Sequence, residues 1–167
     1  MFLKTWRCIT IILAALALTM ESAHMLELPQ KMQYDAQMYA AVNTTLYRYF
    51  AIVGGVYQVS SIVVAAVLTF LVRKRRPSFW WTLTGACCLL LAFGIWLTVV
   101  APVNSQVSEA LRSAPESVPT VWIQLRHQWE YGHVAGFIVQ LVGLCALVLS
   151  VLVETPQSPP RGRREDR

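Results

Sequence analysis

Two glutamate–histidine pairs at one spacing stand near opposite ends of the chain, Glu21-Ser22-Ala23-His24 and Glu130-Tyr131-Gly132-His133. On a helix, residues three apart share a face, so each pair presents a carboxylate beside an imidazole. That combination supports two chemistries. A carboxylate next to an imidazole fixes its tautomer and helps set a general base. Carboxylates and imidazoles converging from several helices can instead hold a transition metal. Both pairs border long apolar runs, and ionisable groups inside a bilayer are costly enough to mark a functional site by default.

The elements that must position these groups are membrane helices. Of 167 residues, 56% are hydrophobic and 14% charged, and the mean hydropathy is +0.49. Such a chain calls for lipid contact. Four apolar stretches, at about 8–28, 49–72, 79–101 and 129–153, each approach the ~20 residues that cross ~30 Å of hydrocarbon as a helix. Their unbroken runs exclude the alternating strands of a barrel. The expected fold is all-α, an up-down-up-down bundle of four transmembrane helices forming one domain over residues 1–155. A disordered basic cytoplasmic tail follows over 156–167.

Basic residues set the expected orientation. Lys4 and Arg7 precede the first span, Arg73, Lys74, Arg75 and Arg76 separate the second from the third, and Arg161, Arg163, Arg164 and Arg167 lie in the tail. Only Lys31, Arg48, Arg112 and Arg126 fall on the other side. Both termini are therefore expected in the cytoplasm, with the protein in the plasma membrane. The net charge of +5 then expresses topology and not nucleic-acid binding. Lys4 and Arg7 ahead of Ile11 to Met20 also resemble a signal peptide, but cleavage after Ala23 would put Glu21 where a small residue is needed, which favours a retained helix. Cys8, Cys87, Cys88 and Cys145 contain no C-x-x-C spacing. They read as small packing residues and argue against a disulfide oxidoreductase.

Along the chain, Pro29 is expected to end the first helix and Pro102 the third, while Pro119 belongs near the first turn of the fourth. The second helix is expected to start near Met38, outside the membrane, with Asn43, Tyr47, Phe50, Gly54, Tyr57 and Ser61 on one face. On the last helix Trp122, Arg126, Trp129, Glu130, His133, Phe137 and Gln140 fall within roughly a third of the circumference and must point into the bundle. His127 points away. On the first helix Glu21, His24 and Leu28 share a side, with Glu27 further round.

The first helix runs outward and the last inward. Glu21 should therefore lie level with His133, and His24 with Glu130, giving two carboxylate–imidazole pairs in the outer half of the bundle. Arg126 is placed to neutralise a carboxylate, and Asn104 to supply an amide at the same rim. The expected roles are His133 as base, oriented by Glu21, with His24 and Glu130 in support and Arg126 or Asn104 stabilising oxyanion charge. Trp96, Trp122, Trp129 and Tyr57 would wall a pocket for a hydrophobic, aromatic or prenyl-like small molecule. The metal alternative is a single transition ion on His24, His133, Glu21 and Glu130; a two-metal site lacks ligands, since the second and third spans contain no Asp or Glu. The plainer reading takes the same side chains as interhelical hydrogen-bonding glue. A non-enzymatic accessory or small-molecule-binding protein would follow from it. The partners expected are lipid and a hydrophobic small molecule, with no nucleic acid; conduction through so slender a bundle would require a homo-oligomer.

Ala101-Pro102-Val103-Asn104, together with Trp122, Leu125-Arg126-His127-Gln128-Trp129-Glu130 and His133, resembles the small four-helix membrane proteins grouped with the anthrone oxygenases. The resemblance covers the last third of the chain by its motifs and the rest by topology. It implies an oxygenase without an organic cofactor, converting a tricyclic anthrone to an anthraquinone. Arg126, Trp129 and His133 are the positions carried over, with Asn104 beside them. One departure is Gly136, where the family often has arginine three residues after the histidine.

Overall fold

A computed structural model of the protein describes residues 1–154, a wholly helical chain; the tail expected from residue 156 lies outside the described residues. Six α-helices occur in order: α1 (Phe2–Lys31), α2 (Ala36–Thr45), α3 (Phe50–Leu71), α4 (Arg76–Ile95), α5 (Ala101–Ser113) and α6 (Val118–Leu152). Four helical segments are long and apolar enough to cross a membrane: Phe2–Lys31, Phe50–Leu71, Arg76–Ser113 and Pro115–Leu152. The long helices alternate in direction and pack in a ring, α1 on α3, α3 on α4, α4 on α6 and α6 on α1.

The buried residues reveal how the ring is knit. On α1 they are Arg7, Thr10, Ala14, Ala17, Glu21, His24 and Lys31, with half-buried Leu28 filling the one gap. On α4 they are Ser78, Thr82, Gly85, Leu89 and Ala92. The seam of α6 runs through Trp122, Trp129, His133, Gly136, Gln140, Gly143, Leu147 and Ser150. Steps of three and four residues make a 3.5-residue repeat, the period of a left-handed coiled-coil seam. Small side chains dominate its lower half because lipid supplies no hydrophobic drive between helices, so close backbone approach and van der Waals contact must do so. At the α4–α6 crossing a Cβ built on Gly85 would stand 2.7 Å from Leu147 Cγ, and one on Gly143 would stand 2.9 Å from Cys88 Cβ.

Three expectations about helix ends are corrected. Pro102 does not close the third span. After α4 the chain makes one wide π turn over Trp96–Val100, in which the Ala101 N–H reaches back five residues to the Trp96 carbonyl, and α5 continues with Pro102 in its first turn. A π turn inserts one residue into the ladder, and proline at a helix start has no intrahelical bond to lose. The inserted residue moves the buried stripe from the Ala92 series onto Val100, Val103, Val107 and Ala110. Pro29 likewise lies inside α1, which runs on to Lys31, since proline two residues from a helix end removes only one backbone bond. The helix expected from Met38 is broken by a 3₁₀ turn at Leu46–Tyr49; α2 starts instead at Asp35, whose side chain accepts the Met38 N–H at 2.8 Å, a side-chain N-cap.

The third and fourth spans reach 38 residues each. At 1.5 Å per residue that is roughly 57 Å, nearly twice the hydrocarbon thickness. The excess length includes α5 and the start of α6, which together with α2 bury Tyr39, Val103, Val107, Val118 and Trp122 in a cluster of their own. Pro119 sits in the first turn of α6 as expected. The four cysteines are free, and three of them are exposed along the bundle.

Candidate functional site

Glu21 and His24 come from the α1 seam, and Glu130 and His133 from α6. Because α1 and α6 pack antiparallel, the first pair runs past the second in opposite sense. Glu21 Oε2 lies 2.7 Å from His133 Nδ1, with the side chains only 12% and 7% exposed. This is the expected pairing of these two residues. Gly136, one turn below His133, makes room for it: a Cβ there would meet the Glu21 carboxyl at 3.4 Å. With Nδ1 engaged, Nε2 is the nitrogen of His133 left to exchange a proton. The His24 ring lies over the His133 ring, 4.1 Å between centroids and tilted by 33°.

Aromatic rings enclose this histidine pair. Trp129 stands edge-on to both, at 4.8 Å from His24 and 4.4 Å from His133, and Tyr47 and Phe50 approach His24 at 4.6 and 5.6 Å. Trp129 is itself held by its indole N–H, which donates to Asn104 Oδ1 at 2.9 Å. The π turn makes this bond by rotating α5 toward α6.

The second expected pair does not form. His24 does not meet Glu130; it is stacked on His133 instead. The Glu130 carboxylate is wholly enclosed and lies 2.8 Å from Lys31 Nζ, and the Tyr39 hydroxyl donates to the same oxygen at 2.7 Å. The Lys31 ammonium also faces the Trp129 and Tyr47 rings at 4.5 and 4.7 Å, a cation–π enclosure. Burial, and then the negative carboxylate beside it, push the Tyr39 phenol above its ordinary value, so it remains a donor. Arg126 does not neutralise a carboxylate either: its Nη1 donates to the Tyr34 carbonyl at 3.0 Å and ties α6 to the α1–α2 connection.

Lys31 and Tyr39 are the members that reading the sequence missed. Lys31 was legible, since it continues the 21–24–28–31 seam; taking Pro29 as the helix end hid it. Tyr39 carried no signal, because it reaches Glu130 only when α2 folds back over α6.

A cavity of about 100 Å³ lies beside the histidines, bordered by Glu21, His24, His133, Trp129, Asn104 and Trp96 among others. Phe50, Gly54, Gln58 and Gln140 complete much of its wall. Of the residues expected to line a pocket, Trp122 and Tyr57 do not border it. Trp122 is buried behind it, edge-on to Trp129 and Tyr39, and Tyr57 is half-buried elsewhere on α3. Arg126 and Glu130 are also outside the cavity wall. The cavity opens to the surface between α3 and the end of α4. There Ala51 is exposed, no atom beyond its own helix backbone lies within 4 Å of a Gly55 Cβ, and Phe93 and Trp96 stack parallel at 6.2 Å. His127 is exposed and stacked on Tyr131, away from the site, as expected.

Among the described residues no three His, Cys, Asp or Glu side chains converge as metal ligands. Of the four residues in the metal alternative, Glu130 is drawn off by Lys31 and Tyr39, while Glu21, His24 and His133 lie side by side. Comparison of the chain with family models, with curated proteins and with solved structures gives no match.

Proposed function

We propose that the protein is a plasma-membrane enzyme of the oxygenase type, acting on a hydrophobic aromatic small molecule with His133 as the proton acceptor. The observation that carries this reading is the buried Glu21–His133 contact at 2.7 Å on the wall of a cavity that opens to the surface. A carboxylate on Nδ1 presents Nε2 as the basic nitrogen and stabilises the imidazolium that forms. His24 and Trp129 form the apolar face against which a ring can lie, and Asn104 is a side-chain amide on the same wall. By the positive-inside bias the end bearing Lys4, Arg7 and Arg73–Arg76 is cytoplasmic and the cavity lies in the outer half.

The resemblance to the anthrone oxygenase-like proteins supports the same chemistry. Proton abstraction from an anthrone leaves a delocalised carbanion that yields its electrons to dioxygen. Overall, two ring hydrogens are exchanged for one oxygen atom, and the other oxygen leaves as water. Size limits how such a substrate enters. An apolar cavity near 150 Å³ admits a benzene ring, so one of about 100 Å³ takes only the reacting edge, with further rings lying in the opening between Gly55 and Trp96.

Oxygen uptake by the purified protein with a tricyclic anthrone tests the reading. His133→Ala should lower turnover about 10²- to 10⁴-fold, the usual contribution of a general base. Gly136→Leu, which crowds Glu21 and leaves His133 in place, should lower it less and shift its pH profile. Full turnover in His133→Ala ends the proposal.

A second reading is favoured by one observation. The Lys31–Glu130–Tyr39 cluster is closed and lies outside the wall of the cavity beside the histidines, as interhelical glue would. A protein that binds the aromatic ligand without turning it over fits that part of the site, and tight binding with no oxygen uptake identifies it.

A further inference from the structure

At the opposite end of the bundle the first turns of α1, the α3–α4 turn and the end of α6 surround a cleft of about 770 Å³, which the chemistry above does not use. We infer that this cleft binds the headgroup of an anionic glycerophospholipid, with the phosphate between Lys4 and Arg75 and the acyl chains running down α1. The inference is independent of any reaction at the histidine pair.

Charge selects an anion. Lys4, Arg7 and Arg75 border the cleft against one carboxylate, Glu154. That carboxylate is already shared: Glu154 Oε2 lies 2.9 Å from Arg7 Nη2 and 3.0 Å from Arg75 Nη1. Three cations and one anion leave two positive charges, and Lys4 has no ion-pair partner among the described residues. The site is also built and not merely basic. Arg7 is 9% exposed, its Nη2 donates to Ser78 Oγ at 2.9 Å, and its Nε has no hydrogen-bond partner among the described residues. Its charge is thus fixed in place at the floor of the cleft, while Arg75 stands 55% exposed at the mouth.

Shape selects a lipid over free phosphate. Ile11 and Ile12 border the same cleft, two turns deeper along α1 than Lys4, and Ile12 is 52% exposed. A ligand that satisfies both regions is charged at one end and apolar at the other. Basic pockets between helices at a membrane surface hold acidic headgroups for this reason.

The test is native mass spectrometry of the full chain in neutral detergent, with phosphatidylglycerol and phosphatidylcholine added in equal amounts. Phosphatidylglycerol should be retained at least tenfold more, and that preference should fall at least fivefold in Lys4→Gln/Arg75→Gln. Both positions are exposed, so the fold should tolerate the change; an unchanged helical circular dichroism spectrum checks this, and Lys4→Glu alone serves as the second variant. Arg112→Gln, an exposed cation at the other end, should leave retention unchanged. Equal retention of the two lipids, undiminished preference in both Lys4 variants, the same loss in Arg112→Gln, or displacement of the lipid by millimolar inorganic phosphate would overturn the inference.

Discussion

Lys31 shows how one long side chain can decide a site. Its ammonium is 2% exposed and lies beside a fully enclosed carboxylate, where either charge alone would be costly. Removing one partner of such a pair costs about 3–5 kcal/mol because the other charge stays buried without compensation, whereas replacing both with apolar groups can be nearly neutral. Lys31→Met is therefore expected to destabilise the protein by about 3–5 kcal/mol, and Lys31→Met/Glu130→Leu to recover most of that. Denaturation in mixed detergent micelles gives both values, and equal stability of the two variants would contradict the pairing. Glu21 and His133 behave differently. Their contact lies at a cavity wall and leaves one imidazole nitrogen free, so the same residue types serve structure in one pair and present a reactive atom in the other.

Among the elements, α4 and α6 approach closely, and the glycines at their crossing are set there by distance. A methyl group on Gly85 would meet Leu147 Cγ at 2.7 Å and the Gly143 carbonyl at 3.0 Å. The leucine can turn, but the backbone oxygen cannot. Gly85→Ala should cost about 1–3 kcal/mol as an overpacked contact, read as a lowered thermal midpoint in detergent. Gly55→Ala, with nothing beyond its own helix backbone within 4 Å, should be neutral by the same measure. The π turn at Trp96–Val100 acts on the site from a distance. By shifting the seam one residue it buries Val100 and Val103 and aims Asn104 at the Trp129 indole, and the Gln128 side-chain amide donates to the Val99 carbonyl within that turn at 3.0 Å.

Across the whole molecule the two ends are fastened by different means. One end joins aromatic rings, a buried ion pair and the apolar cluster under α2 and α5. The other is clasped by Glu154 between Arg7 and Arg75. Partial burial raises the Glu154 pKa, but the hydrogen bond and charge of Arg7, with Ser78 and Arg75, outweigh it and hold the carboxyl below its ordinary value of 4.5. A group depressed in the folded state contributes stability that is present above its unfolded pKa and lost as pH falls through the folded one. The difference in thermal midpoint between the wild type and Glu154→Gln should thus be constant from pH 7 to 5 and shrink below about 4.5. With Arg75 more than half exposed the effect should stay near 1 kcal/mol or less. An identical acid profile in Glu154→Gln would remove the clasp from the account.

The sequence by itself determined the all-helical fold with four long apolar helices, because length and hydropathy are local properties that water and lipid read one helix at a time. It also determined that Glu21, His24, Glu130 and His133 face inward, since helical period fixes a face from spacing alone, and that Glu21 lies level with His133. Only the tertiary structure decided the partner of Glu130. Partner choice depends on the axial offset of facing helices and on the reach of flexible stems, and Lys31 won that carboxylate over His24 and Arg126 through both. The width of the cavity, the loss of Tyr57 and Trp122 from its wall and the one-residue shift at Pro102 belong to the same category. Each follows from how closely two helices approach, a quantity that no single helix carries in its own residues.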